Sequence, residues 1–274
     1  MADSNSSHET IYKTSKSLVT EDGVRNALKA KFGEDAELNS WEIVDFTKKG
    51  DNYMCDVSSV VVNYTKSLEK RTSSFVVKLS HNEGLLAVND TSADIFMKEG
   101  GFYTNIVPEL DKILISSGQP ELKVPKCYNL NLRKGNEIIF FEDLRNNGFK
   151  MTDRKKGLDE QHLNLFLKEL GRFHAASILL QDSKSKKELI EQYPCLEELF
   201  FNEKLIDDAS TIQFTSSLTE NASKILEQIE GYEQIAEEIK QIDYLGEVIS
   251  ELKSTRPFEV ISHGDCWTNN VLFK

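Results

Sequence analysis

The most chemically loaded stretch of this sequence is its last fourteen residues, "ISHGDCWTNNVLFK", Ile261 to Lys274. Asp265 and Asn270 stand five positions apart, with His263 and Gly264 just ahead of them and apolar, strand-like residues on either side. Phosphoryl transfer from ATP needs a carboxylate near an acceptor hydroxyl, and an oxygen ligand for a metal that bridges the phosphates. Gly264 lets the backbone turn sharply, so that a tight loop can present Asp265. His263 can brace that loop through hydrogen bonds. His-Gly-Asp with an Asn five residues after the Asp arises by chance in on the order of one in a thousand chains of this length and composition. A surface turn that carries an Asp and an Asn is the plain alternative.

The same chemistry needs a cation on the nucleotide phosphates and an acid that orients it. Lys78 lies in "FVVKLS", where a lysine on a buried strand needs a reason, and Glu99 follows on the apolar face of the next helix. Taken singly, each has an ordinary explanation: an edge-strand lysine with its amine in water, and a helix-surface acid. Glu142, Asp143 and Leu144 close "FFEDL", where they either end a strand or turn backbone groups toward an adenine. "KKGDNYMCDV", with Gly50 and Asn52, stands where a phosphate-covering hairpin belongs, yet it matches neither G-x-G-x-x-G nor a P-loop. His174, beside Phe173, reads as a core histidine rather than a ligand.

These residues need elements to hold them. "EDGVRNALKAKFG" has Val24, Leu28 and Phe32 on one stripe and Gly33 as a stop, which predicts a helix. "WEIVDFT", "MCDVSSVVVNYT" and "SSFVVKLS" mix β-branched and aromatic residues and predict an antiparallel meander. From Thr91 to Ser116, Ile95, Glu99, Phe102, Ile106, Leu110 and Ile113 fall on one helical face. "EIIFFEDL", Glu137 to Leu144, predicts a further buried strand. Beyond it lie a long amphipathic helix with Asp159 as N-cap and a second helical stretch from Ser210 to Leu252. The order predicts a polar tail over residues 1–20, a β-rich lobe over 21–144 and a helical lobe over 145–274, an α+β arrangement.

Composition excludes several classes of function. The net charge of -12 over 274 residues argues against nucleic acid or anionic lipid as partner. From Glu191 to Glu251 there are 15 acids against 3 bases, interleaved with apolar residues at helical spacing, which reads as a solvated helix face. No apolar run is long enough for a membrane span. The four cysteines are widely spaced, without a C-x-x-C pair, which fits a reduced, cytoplasmic setting and no zinc site. No obligate protein partner is evident.

"HGDCWTNNVLF", with "GDNY", "VVKL", "FMKEGGFY", "FFEDL" and "LGRFHAAS" in the matching places, resembles the ecdysteroid kinase-like proteins of insects. These carry the CHK kinase-like domain and are distant relatives of choline kinases and aminoglycoside phosphotransferases. The resemblance covers residues 20–274. It implies a two-lobed protein-kinase-like fold, ATP and magnesium as cofactors, and a small-molecule alcohol, such as an ecdysteroid, as acceptor. It also implies roles: Lys78 on the α- and β-phosphates, Glu99 holding Lys78, Asp265 catalytic and Asn270 a magnesium ligand.

Two departures from the family stand out. Gly100 and Gly101 lie inside the Glu99 helix, each costing roughly 1 kcal/mol relative to Ala, and predict a looser Glu99. The family also continues to a D-F-Q or D-F-E segment whose Asp binds magnesium, whereas this sequence stops at Lys274. The expectation is therefore a helical lobe truncated at its C-terminus, an unpaired "VLF" strand and little phosphoryl transfer by the 274-residue chain. An inactive kinase-like protein that binds a hydrophobic metabolite is the competing reading. A hydrolase built on His263 and Asp265 would need a nucleophile elbow, and the sequence has none.

Overall fold

The computed structural model describes residues 15–46, 55–80, 91–181, 184–199, 208–253 and 259–274; Gly50 and Asn52 lie outside them. The chain divides into two compact units, residues 1–196 with 260–274, and residues 197–259.

The first unit is built on a five-stranded antiparallel sheet in the order β1-β2-β3-β5-β4. Its strands are β1 (Glu37–Asp45), β2 (Asp56–Lys66), β3 (Glu69–Leu79), β4 (Cys127–Asn131) and β5 (Ile138–Glu142). The predicted meander is β1 to β3. β4 has no counterpart among the sequence expectations, because its asparagines are poor strand formers and its pairing to β5 supplies what local propensity does not.

Alternation sorts the side chains of the sheet onto two faces. On one, Val60, Val62, Phe75, Val77, Leu79, Ile138 and Phe140 pack against Val24, Ala27 and Leu28 of helix α1 (Glu21–Phe32). Each of these side chains except Ala27 contributes about 1.5–3 kcal/mol by leaving water. α1 starts at Thr20, whose hydroxyl accepts from the Gly23 N–H, and stops at Gly33 with φ +101°. The opposite face carries Val76, Ile139 and Phe141, against which Phe96 packs.

Phe96 belongs to α2 (Thr91–Gly101), which runs through a π-helical turn, Phe102–Ile106, into α3 (Val107–Ser116). The single stripe expected over this stretch is thereby corrected in phase. The buried positions are Phe96, Ile106, Leu110 and Leu114, with Ile95 and Ile113 only half-buried. The π turn also sends its neighbouring rings to separate clusters: Phe102 meets Phe173 of α4 (Glu160–Gln181) at 5.9 Å, and Tyr103 meets Phe141 at 4.7 Å.

Asp159 caps α4, its carboxylate accepting from the His162 N–H at 2.9 Å. A short helix, α5 (Lys186–Gln192), follows with a complete capping box at Ser185 and Glu188. The terminal strand is not left unpaired as the sequence suggested. β7 (Leu272–Phe273) pairs antiparallel with β6 (Lys150–Met151), and the His162 ring stands edge-on to Phe273 at 4.5 Å. The partner lies about 120 residues upstream, beyond the reach of a hairpin rule.

The second unit holds α6 (Ala209–Leu226), α7 (Glu233–Lys240) and α8 (Tyr244–Lys253), so the predicted helical stretch is three helices. Asp208 caps α6 through the Thr211 N–H, and Lys240 of α7 reaches Glu227 at 2.6 Å. Among the described residues no helix is long and apolar enough to cross a membrane.

The β2–β3 hairpin turns through Ser67 and Leu68, both left-handed, with φ of 52° and 69°. A two-residue turn of this hand suits strand twist but favours Asn-Gly, and Leu68, 98% exposed, gains nothing from packing. Leu68→Gly should therefore raise stability by about 1 kcal/mol, read as a higher urea midpoint at unchanged slope. A lower midpoint would show that the turn relaxes in solution.

Candidate functional site

Lys78 sits on β3, in the interior of the sheet, opposite Val57 of β2 and Ile139 of β5. It is not an edge-strand lysine, so its ammonium group must be matched by a partner above the sheet. That partner is Glu99: Lys78 Nζ to Glu99 Oε1 is 2.5 Å, with the two side chains 33% and 23% exposed. The Phe141 ring lies 5.9 Å from the ammonium. Burial alone would lower the lysine, but the carboxylate of Glu99 outweighs it, with Cys55 and Asp265 adding, and Lys78 is held above its usual range. Lys78, Glu99 and Asp265 thus share one electrostatic neighbourhood.

Around the pair the surroundings are apolar. Burial pushes the Cys55 thiol up to about 11, opposed by Lys78, and the Cys127 thiol likewise up to about 11. The Tyr103 phenol is pushed up by burial and then by Glu99. All three are neutral near pH 7, so none of them adds charge beside the Lys78–Glu99 pair.

The glycines next to Glu99 serve packing. A Cβ on Gly101 would stand 2.6 Å from the Cβ of Cys195, and one on Gly100 would stand 2.9 Å from a methyl group of Leu132. The helix is glycine there because its backbone is approached closely from both sides, and the Lys78–Glu99 pair forms with the glycines in place.

The Asp265 loop is closed by its own hydrogen bonds. The Asp265 N–H donates to His263 Nδ1 at 3.2 Å, the Gly264 N–H to Ser262 Oγ at 3.3 Å, and Gly264 is left-handed with φ +78°. The Asn270 amide nitrogen donates to the Asp265 carboxylate at 2.8 Å and to its backbone carbonyl at 2.9 Å. His263 therefore braces the loop, while Asp265 and Asn270 lie exposed side by side. With its nitrogen turned to Asp265, Asn270 offers its amide oxygen as a donor. A carboxylate and an amide oxygen are hard donors that fit magnesium brought in on nucleotide phosphates. Among the described residues no group of three or more His, Cys, Asp or Glu is placed to hold a metal ion.

At the end of β5 the residues divide in role. Glu142 accepts from the Asn147 amide at 2.8 Å, and the carbonyl of Leu144 accepts from Phe149 N–H at 3.2 Å. Asp143 is 2% exposed and caps the short turn Leu144–Asn147, accepting from the Arg145 N–H. Its carboxylate also takes Ser74 Oγ at 2.5 Å and the Arg145 guanidinium at 2.8 and 2.7 Å. Burial alone would raise this carboxyl, but the bonds from Arg145 and Ser74 outweigh it and hold it below the usual carboxylate range. Sequence reasoning passed over Arg145, Ser74 and Tyr103. The only signal was the position of Arg145 two residues after a strand-ending acid.

A comparison with known protein families matches residues 49–274 to the ecdysteroid kinase-like family. The chain belongs to the ecdysteroid kinase-like family. No curated protein and no solved structure matches the chain. The mixed, antiparallel fold agrees with this family, whose kinase-like character implies ATP use in general.

The close approaches at the glycines make opposite predictions for neighbouring residues. Gly101→Ala drives a Cβ into a Cβ and should cost about 1–3 kcal/mol. Gly100→Ala meets only flexible methyl groups and should be near neutral, since alanine gains about 1 kcal/mol in helix propensity. Thermal unfolding of the pair checks the order, and equal effects would refute it.

Asp143 sets a pH signature. Its folded value lies below its unfolded value, so its contribution is full above the ordinary aspartate range, near 4, and is lost as pH falls through the lower folded value. The stability gap between wild type and Asp143→Asn should be constant from neutral pH to mild acid and close only at the acid extreme. A gap that closes between pH 7 and 5 would contradict this.

Proposed function

We propose that this protein is an ATP-dependent phosphotransferase acting on a hydroxyl of a small molecule. The observation that carries the reading is the Lys78–Glu99 pair on an interior strand. In this reading residues 21–144 form the nucleotide lobe and 145–274 the catalytic and substrate lobe. Lys78, oriented by Glu99, draws the α- and β-phosphates. Backbone groups of Glu142, Asp143 and Leu144 border the base. Asp265 sits at the acceptor hydroxyl and takes its proton, and His263 holds the loop that presents it. Asn270 would hold magnesium, which offsets the charge of the transferring phosphate. The acceptor is a compact, partly apolar alcohol of the ecdysteroid or sterol kind, because a net charge of -12 disfavours polyanions. Four free cysteines fit a reducing, cytoplasmic setting.

A second reading, a kinase-like protein that binds nucleotide or a hydrophobic metabolite without turnover, draws support from the bond between Asn270 and Asp265. That bond engages the proposed base and metal ligand with each other.

Radiolabelled ATP with magnesium, offered with ecdysteroids, other sterols and plant-derived alcohols, separates the two. Transfer that falls at least about a hundredfold in Asp265→Ala, in the range of a lost general base, is the expected result; Lys78→Ala should lose ATP binding as well. Undiminished transfer in Asp265→Ala overturns the assignment. ATP binding with no transfer to any alcohol selects the second reading.

A further inference from the structure

Sheet register places a second charged pair on the face that bears Lys78. Two residues along each strand from the Val57–Lys78–Ile139 row lie Ser59, Val76 and Phe141. Two residues further lies Ser74 on β3, and Asp143 stands just past the end of β5. Val44 of β1 is opposite Ser59, and Phe46 follows Val44 by two residues on the same side. One guanidinium joins all of these. Arg145 holds both oxygens of Asp143, donates to Ser59 Oγ at 3.1 Å and lies with its central carbon 4.3 Å from the centroid of the Phe46 ring. Asp143 extends the link to Ser74. The end of β1, the middle of β2, β3 and the turn after β5 are thus tied through a single ion pair. Only a planar, forked cation can stack on a ring and bond a carboxylate through both oxygens at once.

Between this pair and Lys78 the same face presents Val76, with Val57 beside Lys78 on the neighbouring strand; both are half-buried and make an apolar floor. Lys78 and Ser74 are four residues apart, which is about 13 Å along a strand. A flat heteroaromatic base fits on such a floor when the phosphates reach Lys78. We propose that Asp143 and Arg145 form a clamp that holds the end of β1 at Phe46 against this face, and so sets the grip on the nucleotide base. Arg145 is then a positioning residue. The inference rests on the nucleotide-binding reading above and adds a determinant of base affinity to it.

The test compares two probes: a fluorescent ATP analogue, and inorganic tripolyphosphate competing with it. Lys78→Ala should weaken both. Arg145→Ala should weaken the ATP analogue about tenfold, equivalent to 1.4 kcal/mol, and leave tripolyphosphate unchanged. Arg145→Lys should stay weak, because an ammonium keeps the charge but loses the fork. Phe46→Leu removes the stacking and leaves the ion pair intact; it should weaken the ATP analogue alone, and it carries the test if Arg145→Ala does not fold. Equal weakening of both probes would mean a merely structural role and would overturn the clamp. So would an unchanged ATP analogue in Arg145→Ala or Phe46→Leu, while Lys78-dependent binding left the nucleotide reading standing. A wild-type protein that binds neither probe overturns both.

Discussion

A lysine on an interior strand cannot simply reach for water. Lys78 is hydrogen-bonded into the middle of a sheet, its side chain leaves the face at a fixed place, and the charge must be answered there. Glu99 answers it at 2.5 Å. That requirement fixes where α2 lies, because the helix must deliver a carboxylate to one point above β3 while burying Phe96 on Ile139 and Phe141. Partly buried ion pairs of this kind are weak sources of stability, since desolvation offsets much of the attraction. Their worth lies in holding a cation with its donors aimed outward, which is what binding an anionic phosphate uses.

The helix meets this demand through local irregularity. Gly100 and Gly101 let Leu132 and Cys195 press against its backbone, and the π turn that follows moves the apolar stripe by a fraction of a turn. Without that shift Phe102 and Tyr103 could not face separate clusters. Two glycines cost helix propensity and return close packing on both sides. π turns of this sort are frequent at functional sites for the same reason: they re-aim side chains without ending the helix.

Polar organisation on the Lys78 face follows a common pattern. Lys78 with Glu99, which joins β3 to α2, and Arg145 with Asp143, which lie in one turn and reach Ser59, Ser74 and Phe46, are each a cation and a carboxylate, set at different distances along the strands. The Asp265–Asn270 loop adds a third polar group, held by bonds internal to itself. The acids of the 197–259 unit, by contrast, pair with lysines on exposed helices, where ion pairs contribute little.

Much of this was legible in the chain. α1 and its Gly33 stop, the β1–β3 meander, β5, the Asp159 cap and the spacing of Asp265 and Asn270 follow from short-range rules, because period, caps and turn residues act over a few positions. Motif resemblance named the family for the same reason, since its signatures are contiguous. The local sequence could not fix which strand lay inside the sheet, and so whether Lys78 needed Glu99. It could not reveal that Gly100 and Gly101 serve packing, that β7 pairs with β6, or that Arg145 joins four elements. Each of those depends on contacts between residues far apart in sequence, where the energy belongs to the pair and neither partner alone carries a sign of it. Short-range rules set most of the elements and the chemistry of the candidate groups; which charges meet was settled by the fold, because desolvation and close approach exist only once the chain has folded.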